Sequence, residues 1–134
     1  MGLVIDTDVW VLAEKSTNPL DLEKWAAHGG AFMSTASELL VSVERANTAQ
    51  RKAQRAAFVE NLLSHIPVLE FSLPVGRTHA RMVAALPKSA TAAAHDALIA
   101  ATAIHHGYHL LTRNTRDFEI FAGLKLEAFE PLKA

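Results

Sequence analysis

The sequence predicts an α/β fold, a three-layer α/β/α sandwich whose mostly parallel sheet has about five strands. Short apolar segments of strand length alternate along the chain with longer segments of helical periodicity. Strands separated by helices in this way pair in parallel and are covered by helices on both faces. The chain has 134 residues, of which 50% are hydrophobic, so residues 1–134 are expected to form a single domain with a substantial core. The predicted strands are residues 3–5, 31–33, 67–71, 108–112 and 124–129.

Composition excludes several classes of site and partner. The chain contains no cysteine, which removes disulfides, thiolate zinc sites and cysteine nucleophiles. Its formal net charge of −1 lacks the general basicity of many nucleic-acid-binding proteins, so a bound polyanion would have to be held by local arginines and by cations. The first residues carry neither a signal-peptide pattern nor the start of a membrane span. We therefore expect a cytoplasmic protein that does not enter the membrane.

The first candidate functional residue follows the first strand. Leu3–Ile5 is apolar throughout, as in a strand buried on both faces, and Asp6 stands at its carboxyl end. Ligands bind at that edge of open α/β sheets, but an aspartate there can equally cap a helix. Asp8 can cap the helix that begins at Val9, which would leave Asp6 for a functional role. Both interpretations of Asp6 stay open on these residues alone.

Glu38 lies at the start of a later helix, after a predicted helix at 20–27 and the strand at 31–33. The segment Thr35-Ala36-Ser37-Glu38 matches the capping-box pattern, which explains Glu38 without any chemistry. Glu44 lies six residues further, on another face of the same helix and beside Arg45. We interpret Glu44 as a solvated residue that forms a salt bridge.

Basic residues form a strip along the next helix, which is predicted for residues 48–64. Arg51, Lys52 and Arg55 fall on this helix, and Arg45 precedes it. A solvated helix face is the ordinary explanation of such a strip. The strip could also follow a phosphate backbone.

A further helix is predicted between Ser72 and Pro87. Pro74 suits its first turn, where a missing N–H costs nothing. One side of this helix is expected to carry Val75, His79, Met82, Val83 and Leu86. The strand before it, residues 67–71, is more polar than the others and is expected near the edge of the sheet.

Two apolar segments near the carboxyl terminus each deliver an acid. His95–Ile104 is apolar on every side, which predicts a buried helix with Asp96 in its first turn and Gly107 as its left-handed C-cap. The strand at 108–112 then leads to a short helix that Asn114 or Thr115 can cap. Asp117 falls in the first turn of that helix, where the helix dipole favours a negative charge.

The candidate acids therefore share one type of position. Asp6, Glu38, Asp96 and Asp117 each stand just after a strand or in the first turn of a helix that follows one. In a parallel sheet those positions meet at the same edge. Capping explains each acid separately, but four carboxylates in one cleft repel one another unless cations share them. Clusters of carboxylate oxygens suit Mg²⁺ or Mn²⁺ better than zinc.

The order of these segments resembles the successive motifs of the PIN-domain ribonucleases, and most closely those of the VapC-type toxins of bacterial toxin–antitoxin pairs. The resemblance covers nearly the whole chain, because four motifs follow one another at the spacing of that family. Those motifs are Leu3-Val4-Ile5-Asp6-Thr7-Asp8, Ser34-Thr35-Ala36-Ser37-Glu38-Leu39-Leu40, Asp96-Ala97-Leu98-Ile99-Ala100-Ala101-Thr102-Ala103 and Leu111-Thr112-Arg113-Asn114-Thr115-Arg116-Asp117-Phe118.

The resemblance implies an endoribonuclease that depends on Mg²⁺ or Mn²⁺. Its acids would correspond to Asp6, Glu38, Asp96 and Asp117, and we expect Asp6 and Asp96 to hold the metal. It also implies a homodimer and a cognate antitoxin that blocks the cleft. The chain departs from the family pattern at Ser42, where many relatives have glycine.

The second departure is Asn114, which stands where other members place their fourth acid. The fourth ligand is therefore either Asn114 or Asp117. Thr112, Arg113, Asn114 and Arg116 are the candidate substrate-binding residues, and the two arginines would hold the phosphates that flank the scissile bond.

Three other functions are compatible with parts of the sequence. An aspartyl-phosphate phosphatase would use Asp6 as its nucleophile, but Trp10 stands where that motif has a small residue, and no later lysine with paired acids follows. A histidine-based ribonuclease would use some of the seven histidines and need no metal. A non-catalytic PIN-like binding module would retain the acids only as helix caps.

Overall fold

The computed structural model describes residues 2–10, 31–32, 36–90 and 92–129. Residues 7–10 are helical, so the first helix begins directly after Asp6. Residues 11–30 and 33–35, which include the predicted helix at 20–27 and the capping-box residue Thr35, lie outside the described residues.

Four parallel strands form the sheet in the described part of the chain. They are β1 (Leu3–Ile5), β2 (Ala31–Phe32), β3 (His109–Thr112) and β4 (Lys125–Ala128), in the order β2-β1-β3-β4. In the central pair, Ile5 lies opposite Leu111. The predicted parallel sheet is confirmed, and its two central strands, β1 and β3, are buried.

The predicted strand at 67–71 is wrong. Only Val68 forms an isolated bridge there, and its neighbours are extended or irregular. Pro67 has no N–H to donate to a strand ladder. Val68 and Phe71 are 42% and 51% exposed, so the burial that favours a strand is missing as well.

The helices of the described residues begin and end close to their predicted limits. Apart from the helical residues 7–10, they are α1 (Ala36–Glu44), α2 (Ala49–His65), α3 (Leu73–Ala84), α4 (Ala94–His106) and α5 (Thr115–Phe118). The Thr48 hydroxyl accepts a hydrogen bond from Arg51 N at 3.1 Å and caps α2. Gly107 ends α4 in the left-handed conformation with φ 70°, as predicted. No helix in these residues is both long and apolar enough to cross a membrane.

Helices pack against both faces of the sheet, because successive side chains of a strand point to opposite faces. Leu3, Ile5 and Leu111 face one cluster, in which α1 and α2 contribute Leu39, Val43 and Val59. Val4 and Leu110 face the other cluster, to which α4 and α5 contribute Ala97, Ile99, Ala100, Ala103 and Phe118. The two clusters fix the central strands, and the carboxyl ends of those strands carry the candidate site.

Candidate active site

The structure brings the four predicted acids to one edge of the sheet. Asp6 follows β1, and Glu38, Asp96 and Asp117 lie in the first turns of α1, α4 and α5. The four carboxylates lie close enough for their negative charges to interact. The pKa of Asp96 is raised, first by burial and then by repulsion from Asp6, Asp117 and Glu38.

Asp6 is the most deeply placed of these acids. Its exposed fraction is 9%, and both carboxylate oxygens accept hydrogen bonds. Thr7 N donates to Oδ1 at 2.8 Å, and the Thr112 hydroxyl donates to Oδ2 at 2.9 Å. Burial raises the pKa of Asp6, Glu38 raises it further, and the two hydrogen bonds partly offset that rise. The two hydrogen bonds therefore fix the orientation of the Asp6 carboxylate, while burial and the charge of Glu38 destabilise its ionised form.

Thr112 was predicted to bind substrate, but it is not exposed at the surface of the site. The residue is fully buried at the end of β3, and its hydroxyl accepts a hydrogen bond from Asn114 N at 3.1 Å while it donates to Asp6. Such a hydroxyl has no access to a bound polymer. We therefore correct its assignment from substrate-binding residue to positioning residue for Asp6.

Asp8 also lies at this edge, inside the helix that begins at Thr7 and not at the capping position before Val9 that the sequence predicted. Burial and the neighbouring Asp6 raise the pKa of Asp8 to about 6, against an opposing attraction from Arg113. Its Oδ2 accepts a hydrogen bond from the Asn114 side-chain amide at 2.9 Å. Its Oδ1 is buried and has no hydrogen-bond partner among the described residues. The only signal in the sequence was its spacing of two residues from Asp6.

Asn114 is the N-cap residue of α5 by position, but its side chain makes no capping hydrogen bond. The prediction that its side chain caps this helix is therefore wrong. The amide instead donates to Asp8, which ties the residues after β3 to those after β1. Asp117, one turn further, is exposed and lies near enough to Asp96 to raise the pKa of that residue.

His95 is a second residue that sequence reasoning did not place at the site. Its Nε2 lies 2.9 Å from Glu38 Oε1, a salt-bridge distance whose alignment is too poor for a hydrogen bond. The positive charge of a protonated His95 would lower the pKa of Asp96, the next residue in α4. Of the two predicted phosphate-binding arginines, Arg113 lies near Asp8, and Arg116 is exposed on α5.

Comparison with known proteins gives a consistent result. Residues 3–124 match the sequence model of the PIN domain. The chain is 38% identical over 129 residues to ribonuclease VapC1 of Rickettsia felis, covering 94% of this chain and 95% of that protein. It is 24% identical over 128 residues to the tRNA(fMet)-specific endonuclease VapC of Shigella flexneri, covering 95% and 97%.

Solved structures show the same fold. The structure of VapBC2 from Rickettsia felis, bound to a DNA fragment of its promoter, superimposes with a TM-score of 0.84 at 22% identity, covering 97% of this chain and 100% of that one. VapBC-1 from nontypeable Haemophilus influenzae gives a TM-score of 0.77 at 20% identity, covering 96% and 98%. The chain thus belongs to the PIN-domain family and, within it, to the VapC ribonuclease toxins of toxin–antitoxin systems.

Proposed function

We propose that this chain is a metal-dependent endoribonuclease that hydrolyses RNA phosphodiester bonds at the edge formed by Asp6, Glu38, Asp96 and Asp117. The observation that carries the proposal is the convergence of four carboxylates at one edge, where burial first and mutual repulsion second raise the pKa values of Asp6 and Asp96. A protein stabilises such a cluster when a cation shares it. Without that cation the cluster only costs stability.

The donor atoms fit Mg²⁺ or Mn²⁺. The candidate ligands are carboxylates, with the Asn114 side-chain oxygen as the alternative fourth donor, and Asp8 supplies a further buried oxygen with no hydrogen-bond partner in the described residues. Within those residues, no three His, Asp or Glu side chains are already arranged to enclose an ion. Mg²⁺ ordinarily binds through one or two carboxylates and keeps several water molecules, so an open arrangement suits it. We assign Asp6 and Asp96 as the ligands.

Each remaining residue has a role that follows from its position. A bound cation would supply positive charge that polarises the phosphoryl group and lowers the pKa of water. Thr112 and Thr7 N hold the Asp6 carboxylate in one orientation. Glu38 or Asp117 orients the attacking water. The water oxygen attacks phosphorus in line, the bond from phosphorus to the 3′-oxygen breaks, and that oxygen takes up a proton, which leaves a 5′-phosphate and a 3′-hydroxyl.

Substrate phosphates need cationic partners beside the acids. Arg113 and Arg116 flank the acidic edge from the α5 side, and both are exposed. Arg113 already acts on Asp8 through its charge. We propose that both arginines bind the phosphates next to the scissile bond. Because the substrate is RNA, the enzyme would act in the cytoplasm.

A cognate antitoxin is the proposed partner. The similar solved structures are of VapBC assemblies, and an acidic cleft without its metal attracts a basic side chain. We propose that the antitoxin inserts such a side chain among Asp6, Asp96 and Glu38. The proposed homodimer is supported by exposed apolar residues just before α3 and at its first position, since Phe71 and Leu73 are 51% and 69% exposed. Light scattering of the purified chain measures that association.

Cleavage assays test the proposal directly. Wild-type protein should cut RNA with Mg²⁺ or Mn²⁺, lose activity in EDTA and leave 5′-phosphate ends. Asp6→Asn and Asp96→Asn should each abolish cleavage while the circular dichroism spectrum stays unchanged. Glu60→Gln, an exposed acid on α2 far along the sequence from the cluster, is the matched control and should cleave normally. Wild-type rates in either aspartate variant, or cyclic phosphate products in EDTA, would refute the mechanism. A tight antitoxin complex with no nuclease activity would instead indicate a binding module.

A further inference from the structure

A groove of about 980 Å³ runs from the acidic edge along the helical hairpin formed by α1 and α2. Glu38 and His95 line the end nearest the acids. Arg45, Arg51 and Arg55 line the rest of it. The groove is therefore continuous with the candidate active site but has the opposite charge along its walls.

The arrangement of the arginines is more specific than a solvated basic face. Arg51 and Arg55 are four residues apart on α2 and lie on one side of that helix, while Arg45 follows the last residue of α1. Lys52 lies on the same helix but pairs with Glu44 at 3.3 Å and does not line the groove. Of the two kinds of cation in the predicted strip, the structure turns the arginines into the groove and the lysine away from it.

The charge balance of the groove differs from that of the whole chain. The chain carries a formal net charge of −1. Among the described residues that line the groove, three arginines face a single carboxylate, that of Glu38. The side-chain amides of Asn47 and Gln54 add neutral N–H donors to the same walls, and Asn47 Oδ1 accepts a hydrogen bond from Arg51 Nη1 at 3.1 Å. Guanidinium groups beside neutral donors are the pattern that binds a phosphate backbone.

We propose that this groove binds the sugar–phosphate backbone of single-stranded RNA on one side of the scissile bond, and that Arg45, Arg51 and Arg55 contact successive phosphates. The inference rests on the proposed nuclease function and names the path of its substrate. A single strand fits because Asp6 is only 9% exposed, so the reacting phosphodiester must enter a recess. An acidic peptide is the other polyanion to consider, but it would meet repulsion at the Glu38 end and gain nothing from the acids.

The proposal predicts a binding defect without a defect in chemistry. The three arginines lie along the groove and not at the acidic edge, so their loss should raise KM and leave kcat within about twofold. Each lost phosphate contact on a single strand should reduce the slope of log K against log salt by about 0.7, so removal of all three should reduce it by about 2.

The experiment uses fluorescein-labelled oligouridylate and full-length protein in EDTA, where no cleavage occurs. Fluorescence anisotropy over a range of NaCl concentrations would compare wild type, the Arg45→Gln/Arg51→Gln/Arg55→Gln variant and the matched control Lys52→Gln. The triple variant should bind at least about tenfold more weakly with the smaller salt slope. Lys52→Gln should bind like wild type. Melting curves confirm that each variant is folded, and Arg51→Gln alone serves if the triple variant is not.

Binding in EDTA separates this inference from the proposed function. If the wild type binds RNA through the arginines in a salt-dependent way but does not cut it when Mg²⁺ is added, the nuclease mechanism is refuted and RNA binding in the groove is supported. Equal RNA affinity and salt slope in wild type and triple variant would overturn the groove, and so would the absence of any salt-dependent binding by wild type. Unchanged RNA binding with weakened capture of the co-expressed antitoxin would also overturn it, because the groove would then be a protein-binding site.

Discussion

Replacing Asp8 by asparagine should stabilise the metal-free protein at neutral pH. Burial and repulsion from Asp6 raise the pKa of Asp8 to about 6 from an ordinary 3.8. Folding therefore favours the protonated form of this carboxyl. Asparagine keeps its shape, removes the charge, and can still accept the hydrogen bond that the Asn114 amide donates at 2.9 Å.

The magnitude and the pH range follow from that pKa. A difference of about two pH units corresponds to about 3 kcal/mol at 1.4 kcal/mol per unit. Solvent reaches part of the Asp8 side chain, and screening reduces the expected gain to about 1.5 kcal/mol, or roughly 5 °C in Tm for a domain of this size. Because the folded-state pKa of Asp8 is raised, the wild type is as stable as the variant below about pH 4, where Asp8 is protonated. Its free energy of unfolding falls relative to that of the variant as pH rises through about 6.

Differential scanning calorimetry in EDTA would measure the effect. The variant should match the wild type at about pH 4 and exceed it in Tm at about pH 8, where the Asp8 carboxyl is charged in the wild type. Glu60→Gln removes an exposed acid outside the cluster and should show no such trend. A Tm difference that is the same at both pH values, or a less stable variant at the higher pH, would refute the electrostatic account of the site.

Millimolar Mg²⁺ or Mn²⁺ should raise the Tm of the wild type, since a cation that binds only the folded state stabilises it; an unchanged Tm would argue against a shared acidic site. Thr112→Val should destabilise the fold by about 1–3 kcal/mol, because it leaves a buried oxygen of Asp6 without its donor. The hydrogen bond from Thr112 lowers the pKa of Asp6, so the acid limb of the pH–rate profile should also move to higher pH in that variant. Asp117→Asn should reduce cleavage by at least about tenfold, a barrier increase of roughly 1.4 kcal/mol, if Asp117 is the fourth acid. Asn114→Ala should then cost mainly stability, on the order of 1 kcal/mol, and the reverse pattern would move the site to Asn114. Gly107→Ala should destabilise the fold by about 1 kcal/mol through backbone strain alone, because a Cβ there meets no atom within 4 Å.

Local rules were sufficient to place the acids. Each candidate acid stands in a first helical turn or at a strand end, and both positions are set by capping residues and apolar periodicity within about ten residues. The helix that carries Asp96 is one example. Its burial and its end at Gly107 both follow from the adjacent sequence. The prediction of a strand at 67–71 failed because exposure of that segment depends on which elements pack against it.

The groups that orient the acids could not be found in the same way. Thr112 and Asp6 are 106 residues apart in sequence, and so are Asn114 and Asp8. No periodicity relates residues at that distance. The pairs meet only because β1 lies beside β3 in one particular register. A residue such as Thr112, which ends an apolar strand, gives no local sign that its hydroxyl is used.

That register is what makes the site. Ile5 lies opposite Leu111, and Asp6 N donates to Leu111 O at 3.0 Å, so the next residues along the two strands are Asp6 and Thr112. A slip of one residue would turn every side chain of one strand to the other face and would separate these two groups. The alternating contacts of Leu3, Val4 and Ile5 with two different core clusters oppose such a slip. The hydrophobic core therefore offsets the stability that repulsion among the acids removes. Leu3, Val4 and Ile5 contribute to that core and also fix the positions of Asp6 and Thr112. Substitutions of the acids should for this reason change activity and metal binding without unfolding the chain. Replacing Val4 or Ile5 by a smaller residue should reduce both the stability of the fold and the activity.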